Sequence, residues 1–452
     1  MSEDGGGART ATRAGGVTEA RHVGAEICAD LRRGELLDST FDRQSARLEP
    51  RDRRFTRELV YGMLRRRAWL DALLDGRVRG GLSRLDVDLL DLMRLGAYQL
   101  LHMRSVPAYA AIAQTVELAK RRHGVGAARL TNAVLRRLDR ERDALNVDLP
   151  ADPIDALALV ESHPRWLVAR WVARWGEDET RRLLQANNSE APLVARPIHA
   201  VREQVEASLE AAGIAVADSP LVPDSIVLAS PITALTELGA FRQGLFHLQD
   251  PASTLVTMYA ALPENGAANV ADVCAAPGGK SVELSRRARA VYASDLSLPR
   301  LRRVIENIRR MDLPTVFAYV ADARRPAIRE VDAVLIDAPC TGTGTFRRHP
   351  DARWRLRTSD LAVMAALQRE VLRSASAIVK PGGMLVYSTC SLETEENDTQ
   401  VERFLTEHKN WRLDPPAEGA VPASVIDAGR LRVLPQRHGT DGAFAARLRR
   451  LA

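Results

Sequence analysis

The chain has 452 residues, of which 46% are hydrophobic and 27% charged, and its formal net charge is +6. This composition is typical of globular proteins and excludes fibrous, collagen-like and wholly disordered classes. No apolar run approaches the ~18 to 20 residues that a membrane-spanning helix needs, and the first residues lack the pattern of a secretory signal. We therefore expect a cytoplasmic protein without a membrane partner.

The four cysteines are Cys28, Cys274, Cys340 and Cys390, and no two of them form a CxxC pair or a Cys/His ligand spacing. This pattern argues against a disulfide framework and against a structural zinc site. We expect no metal, and any special role of a cysteine would be chemical. The basic balance of the chain favours nucleic acid over acidic partners.

Residues 1–17 are rich in Gly, Ala, Thr and Arg without periodicity, which predicts a disordered tail. Residues 18–147 repeat apolar side chains at helical spacing, for example at Val23, Ile27 and Leu31, and predict an all-α domain of five or more helices. Residues 148–240 predict linker helices and then a small α/β module in the order strand, helix, strand, strand.

Residues 241–452 alternate strands with helices of 10 to 15 residues. This alternation predicts a mainly parallel sheet covered on both faces, with ligands at the carboxyl ends of the strands. The motifs described next all follow a predicted strand.

The first motif, ADVCAAPGGKS, joins a strand to a helix through a glycine-rich turn. A P-loop requires a glycine where this chain has Cys274. The defining residue of the P-loop motif is therefore absent, which argues against a P-loop nucleotidase. Asp295 and Asp322 close the next two strands, where carboxylates can accept hydrogen bonds from ribose hydroxyls, an adenine amino group or an amino-acid moiety. The three strand ends together predict a nucleoside cofactor.

The second and third motifs are IDAPCTGTGTFRRHPD and VYSTCSLETEEND, and each places a cysteine just after a strand. An isolated cysteine is usually a small buried hydrophobe. Cys340 and Cys390 instead follow neighbouring strands beside the expected cofactor pocket, which indicates covalent addition of a thiolate to an electron-poor carbon. We also expect phosphate contacts from Arg347, Arg348 and His349, which follow Cys340 closely.

Four motifs, VCAAPGGKS, DAPCTGTG, YSTCSLETEEN and the terminal LPQRHGTDGAFAARL, resemble in their order those of the Sun (Fmu) family of S-adenosylmethionine-dependent RNA cytosine-5 methyltransferases. The N-terminal helical segments resemble the RNA-binding antitermination factor NusB. The resemblance implies a multidomain fold: an all-α NusB-like RNA-binding domain (18–147), a small α/β module within 148–240, and a C-terminal α/β Rossmann-like methyltransferase domain (241–452).

The resemblance also implies residue roles. Cys390 matches the nucleophile that adds to carbon 6 of cytosine, Cys340 matches a second cysteine associated with product release, and Asp337 matches an acidic residue near the cofactor and the target base. The implied contacts to S-adenosyl-L-methionine are Cys274, Ala275, Ala276, Pro277, Gly278, Gly279, Lys280, Asp295, Asp322 and Asp337. The implied substrate is structured RNA, with small-subunit (16S) ribosomal RNA expected, and we expect a monomer.

Two alternatives to the RNA cytosine methyltransferase hypothesis are considered. A non-enzymatic RNA-binding assembly factor with a degenerate methyltransferase fold would be expected to have lost thiols or aspartates that this chain keeps. A DNA cytosine methyltransferase uses the cysteine of the Pro-Cys position as its nucleophile, and the additional cysteine of the STC motif favours RNA.

Overall fold

The structure is a computed structural model that describes residues 16–229, 235–263 and 266–452. Most of the predicted tail, residues 1–15, lies outside the described residues. Val17, which the prediction includes in the tail, is 1% exposed and belongs to the helical core. The described residues divide into two compact units, a helical unit (16–188 and 349–355) and a sheet unit (described residues of 189–348 and 356–452).

The helical unit is built from amphipathic helices whose apolar residues recur every three or four positions. Ile27, Leu59, Met93 and Leu135 come from four of these helices and meet in one buried core. The helices up to residue 188 are α1 (Glu19–Arg32), α2 (Leu37–Ser45), α3 (Pro50–Arg65), α4 (Arg67–Asp75), α5 (Val87–His102), α6 (Ala108–Arg140), α7 (Pro153–Val160), α8 (Arg165–Trp175) and α9 (Glu177–Asn188). The predicted all-α N-terminal region is confirmed.

A small α/β module opens the sheet unit. Its elements are β1 (Leu193–Pro197), α10 (Arg202–Ala211), β2 (Val216–Asp218), β3 (Ile226–Leu228), α11 (Gly239–Arg242) and β4 (Phe246–Leu248). The strands form an antiparallel sheet in the order β2-β3-β1-β4. The predicted order of strand, helix, strand, strand is present, and β4 adds an edge strand that the sequence analysis did not identify.

The remaining elements form the large sheet and its covering helices, apart from one short helix at 352–355 that belongs to the helical unit. They are α12 (Pro251–Ala260), β5 (Asn269–Asp272), α13 (Gly279–Ser285), β6 (Ala290–Asp295), α14 (Leu298–Arg310), β7 (Val316–Val320), β8 (Val331–Asp337), α15 (Ala352–Arg355), α16 (Thr358–Ala377), β9 (Val379–Thr389), α17 (Asp398–Glu407), β10 (Trp411–Leu413), β11 (Ile426–Asp427), β12 (Arg430–Val433), α18 (Pro435–His438) and β13 (Ala443–Arg450).

The large sheet has the strand order β11-β12-β13-β9-β8-β5-β6-β7, and β10 pairs with β13. Strands β9, β8, β5, β6 and β7 run parallel, as predicted. Strands β10 to β13 add an antiparallel part next to β9. The parallel strands therefore all present their carboxyl ends at one edge of the sheet.

Successive side chains of a strand point to opposite faces of the sheet. Here an apolar cluster covers each face, so both faces are buried. Val270 and Leu335 pack into one apolar cluster, while Ala271, Val334 and Ile336 pack into the other. Strands buried on both faces read as continuous apolar runs, which explains why they are recognisable in the sequence.

Residues 349–355, which the sequence analysis assigns to the C-terminal domain, belong to the helical unit. Arg353 is fully buried there, and its Nη1 donates to Oδ1 of Asn188 at 2.7 Å. Trp354 donates from Nε1 to the carbonyl oxygen of Leu64 at 2.8 Å. Short segments of this kind carry no distinguishing pattern, so only their contacts reveal which unit they join.

Candidate active site

The loop from Cys274 to Lys280 follows strand β5 and leads into α13. Its backbone is fixed to the end of β6, since Ala275 N donates to the Ser294 carbonyl oxygen at 2.8 Å and Ala276 N donates to Oδ2 of Asp295 at 3.3 Å. Gly278 has φ +107°, a conformation that side chains disfavour. The glycine-rich sequence therefore allows the sharp turn that precedes α13.

Asp272 ends β5 directly before this loop and is buried. Its Oδ2 accepts a hydrogen bond from Ser281 Oγ at 2.6 Å, and its Oδ1 has no hydrogen-bond partner within the described part of the chain. Burial, opposed by the Ser281 hydrogen bond and reinforced by Asp337, raises the pKa of Asp272 to about 7. The sequence analysis did not single out Asp272.

The carboxylates of Asp295 and Asp322 lie at the ends of β6 and just after β7, as predicted. Asp295 is buried, and its Oδ1 accepts from Ser297 N at 2.9 Å. Asp322 accepts from the guanidinium of Arg324, with Nη2 at 2.8 Å, and this pairing lowers the pKa of Asp322. Both carboxylates keep lone pairs for further donors, since each oxygen has two.

This edge of the sheet also carries features that suit a ligand. Leu296, directly after Asp295, is 66% exposed and offers an apolar surface. The unpartnered buried oxygen of Asp272 requires a donor. A ligand with an ammonium group, hydroxyl groups and a flat apolar ring would match these residues.

Lys280 and Asp337 connect the loop after β5 to the end of β8. Lys280 Nζ lies 2.7 Å from Asp337 Oδ2, and Ser388 Oγ donates to Asp337 Oδ1 at 3.1 Å. Burial lowers the pKa of Lys280, but the charge and hydrogen bond of Asp337 outweigh burial, so that pKa lies above its usual value. Lys280 is therefore an ammonium ion in contact with a carboxylate.

The two predicted cysteines meet at the ends of adjacent strands. Asp337 of β8 is paired in register with Ser388 of β9, so Cys340 and Cys390 follow at the same height. Their Sγ atoms are 3.2 Å apart. The hydrogen bond to Cys390, followed by burial, raises the pKa of the Cys340 thiol, so Cys340 keeps its proton.

The turn after Cys340 packs tightly against the chain after Cys390. Gly344 N donates to the Cys390 carbonyl oxygen at 2.9 Å, and Gly442 N donates to the Gly344 carbonyl oxygen at 2.8 Å. A Cβ atom at Gly344 would lie 2.7 Å from the Cys390 carbonyl oxygen. Only glycine permits this approach, which explains on steric grounds why the second glycine of the GTG motif is at this position.

The expected phosphate contacts of Arg347 and Arg348 are not supported by the structure. Arg347 donates from Nε to Asp441 Oδ1 at 2.6 Å and lies 2.9 Å from Asp250 Oδ2 through Nη2. Arg348 contacts the same two carboxylates at 2.7 Å. A buried carboxylate needs paired donors, so these arginines neutralise Asp250 and Asp441 inside the fold. His349, the third residue, pairs with Asp38 at 3.0 Å in the helical unit.

Within the described ranges 16–229, 235–263 and 266–452, no helix is both long enough and apolar enough to cross a membrane. No group of three or more His, Cys, Asp or Glu residues there is arranged to hold a metal ion.

Comparison with known families matches three parts of the chain. Residues 258–449 match the 16S rRNA methyltransferase RsmB/F family, residues 18–140 the NusB family, and residues 163–234 the ferredoxin-like domain of RsmF/B-like methyltransferases. The probable ribosomal RNA small subunit methyltransferase B of Synechocystis sp. is 34% identical over 446 residues, which is 95% of this chain and 99% of that protein. The chain belongs to the RsmB/F family of 16S rRNA methyltransferases.

Other relatives agree with this assignment. Ribosomal RNA small subunit methyltransferase B of Vibrio cholerae is 36% identical over 424 residues, which is 91% of this chain and 93% of that protein. The crystal structure of PH0851 aligns with a TM-score of 0.79 at 27% identity and covers 97% of this chain and 100% of that chain. The RsmB/F-family protein described here is an RNA methyltransferase enzyme, and a non-enzymatic assembly factor is excluded.

These findings confirm the predicted resemblance and the predicted multidomain fold. The roles of Cys390, Cys340 and Asp337, and the contacts to a cofactor, stay predictions. The structure brings these residues together at one edge of the sheet. It also places two buried carboxylates there, Asp272 and Glu396, and Glu396 Oε1 accepts a hydrogen bond from Thr341 N at 2.9 Å. Sequence reasoning missed both, because nothing in a motif indicates which of its acidic residues is buried.

Proposed function

We propose that this RsmB/F-family enzyme methylates carbon 5 of a cytosine in small-subunit ribosomal RNA, with S-adenosylmethionine as the methyl donor. The observation that carries the proposal is the pair of thiols, 3.2 Å apart, beside the ion pair of Lys280 and Asp337. Methylation at an unactivated ring carbon requires covalent activation, and one thiolate with a second thiol next to it supports that chemistry.

The residues at the sheet edge fit the proposed cofactor. Cys274 to Lys280, Asp295, Asp322 and Asp337 would hold it, and the unpartnered oxygen of Asp272 would suit its ammonium group. When bound, S-adenosylmethionine supplies an electrophilic methyl group. The apolar surface of Leu296 suits an adenine ring.

In this proposal Cys390 is the nucleophile. As a thiolate, it adds to carbon 6 of the cytosine, forming a carbon–sulfur bond and making carbon 5 electron-rich. The Asp337 carboxylate accepts a hydrogen bond from the amino group of the cytosine ring, and Lys280 holds that carboxylate in place through their 2.7 Å contact. After methylation, carbon 5 gives its proton to a water molecule, the carbon–sulfur bond breaks with its electron pair staying on sulfur, and Cys390 leaves as a thiolate.

We assign Cys340 to the release step. Its raised pKa keeps it a thiol next to Cys390, so its S–H group can stabilise the sulfur that leaves carbon 6. The addition needs access to the ring face, so the target base has to be splayed out of its stack.

Bisulfite sequencing of ribosomal RNA from cells with and without this gene tests the proposed function. We expect one small-subunit cytosine that resists conversion in the parent and converts only in the deletion strain. An unchanged pattern in ribosomal RNA would contradict the proposed substrate. Methylation by the purified enzyme of a base other than cytosine would contradict the proposed chemistry.

A further inference from the structure

Glu396 is a fully buried carboxylate close to the two thiols, and neither the motifs nor the comparisons assign it a role. It is 0% exposed and lies in the short turn between β9 and α17. A charged carboxylate is costly to bury unless several donors satisfy it. Its contacts therefore indicate what the fold gains by placing it there.

Both oxygens of Glu396 bind groups next to the cysteines. Oε1 accepts from Thr341 N at 2.9 Å and from Gln368 Nε2 at 2.9 Å. Oε2 accepts from the hydroxyl groups of Thr341 and Ser391. Thr341 is the neighbour of Cys340 in the chain, and Ser391 is the neighbour of Cys390.

We propose that Glu396 is a positioning residue that sets the distance between the two thiols by joining the residue after Cys340 to the residue after Cys390. This inference rests on the proposed function, in which both thiols act on one cytosine. The backbone at Glu396 is itself anchored, because Tyr387 Oη donates to the Glu396 carbonyl oxygen at 2.6 Å. Its negative charge also contributes to keeping the proton on Cys340.

Other contacts also join the two loops. Gly344 N donates to the Cys390 carbonyl oxygen at 2.9 Å and Leu392 N donates to Thr343 Oγ1 at 2.8 Å, and neither bond involves a neighbour of Cys340. The hydroxyl groups of Thr341 and Ser391 lie 3.3 Å apart. Glu396 binds both of these residues through charge-assisted hydrogen bonds, which are roughly twice as strong as neutral ones. Loss of its carboxylate should therefore let the thiols separate while the sheet stays intact.

The test uses phenylarsine oxide on the full-length enzyme without cofactor. This reagent condenses with two thiols, forming two arsenic–sulfur bonds and releasing one water, and it binds tightly only where both thiols are within reach. We expect tight binding to the wild type and loss of it in Cys340→Ser. We expect Glu396→Ala to weaken binding on the order of 100-fold, as for loss of a second attachment point, while both cysteines still react with iodoacetamide.

Two variants serve as references. In Glu396→Gln the amide oxygen can face Thr341 N and Gln368, and its NH₂ can face hydroxyl groups that are able to turn, so we expect tight arsenical binding to be largely restored. Glu418→Gln is the matched control, since Glu418 is exposed in the same unit, and we expect it to behave as the wild type.

Kinetics provide the second readout. We expect Glu396→Ala to lower kcat on the order of 100-fold, the effect of a small misplacement of reacting groups, with unchanged KM for RNA. Glu396→Gln should recover most of this loss. Arsenical binding by Glu396→Ala as tight as in the wild type would overturn the positioning role, even if the wild type methylates cytosine.

If Glu396→Ala does not fold, Glu396→Leu fills the space of the side chain without a hydrogen-bond acceptor and leaves the hydroxyl groups of Thr341 and Ser391 in place. The same loss of arsenical binding supports the proposal, and wild-type binding overturns it. The arsenical assay requires no RNA, so it distinguishes a wrong positioning role from a wrong proposed function, which the bisulfite experiment tests separately.

Discussion

The ammonium group of Lys280 lies 2.7 Å from Oδ2 of Asp337, and this ion pair joins the loop after β5 to the end of β8. A second pair of the same type, Lys380 with Asp332 at 2.8 Å, lies at the opposite end of β8. The two pairs share strand and chemistry, but only the first lies beside the thiols. Substitutions in the second pair can therefore serve as a control for substitutions in the first pair.

We expect Asp337→Asn to lower kcat by roughly 100-fold, as is common when a group that stabilises the transition state by hydrogen bonding is removed. Asp332→Asn should leave kcat unchanged. Steady-state methylation of small-subunit RNA with a labelled methyl donor measures both variants. Equal losses in the two variants would show that Asp337 acts through stability alone.

Cys390→Ala should lower turnover by more than about 10,000-fold, as is usual when a covalent nucleophile is removed. Binding of S-adenosylmethionine should persist, because the loop from Cys274 to Lys280 is fixed to β6 without Cys390. Isothermal titration calorimetry measures that binding. Substantial methyl transfer by this variant would refute Cys390 as the nucleophile.

Cys340→Ala should form the covalent adduct but release it slowly, because the thiol next to the departing sulfur is missing. We expect a slowly migrating protein–RNA species on a denaturing gel that is absent from the wild type and from the Cys340→Ala, Cys390→Ala double variant. Normal turnover without any adduct would argue against a release role.

The buried Asp272 predicts a pH dependence of stability in the cofactor-free enzyme. Its pKa of about 7 exceeds the ordinary value of 3.8, so the folded protein holds a proton that the unfolded chain releases above about pH 4. The free energy of unfolding should therefore fall by about 4 kcal/mol from this group as the pH rises from about 4 to 7, and level off above.

Urea denaturation at several pH values measures this effect against Asp272→Asn, in which the group cannot titrate. The difference between the two proteins isolates Asp272 from other titrating groups. A parallel pH dependence in both would show that Asp272 is ionised throughout.

Arg347→Ala tests the structural role of the buried charge cluster. It leaves Asp250 and Asp441 with Arg348 alone, and breaking a buried ion pair costs about 3 to 5 kcal/mol. The exposed Arg325→Ala should change stability by less than about 0.5 kcal/mol. If Arg347→Ala melts like the wild type and only weakens RNA binding, the phosphate-contact hypothesis from the sequence regains support.

The sequence by itself determined the helical N-terminal region, the parallel strands and the positions of the glycine-rich loop after β5, Cys340 and Cys390. These follow from local information: the spacing of apolar residues, glycine-rich turns and cysteines directly after strands. Because parallel strands end at one edge, the position of Asp295, Asp337 and the two cysteines at that edge could also be predicted.

The tertiary structure alone decided which polar residues are buried and which are free to bind a ligand. From the sequence, Arg347 and Arg348 after the GTGT turn predict a basic surface. In the structure they are neutralised inside the fold by Asp250 and Asp441, which lie almost 100 residues away on either side. Glu396 is one of three glutamates in ETEE, and only its contacts with Thr341, Ser391 and Gln368 distinguish it. Burial and partner choice depend on long-range packing, which no local sequence pattern encodes.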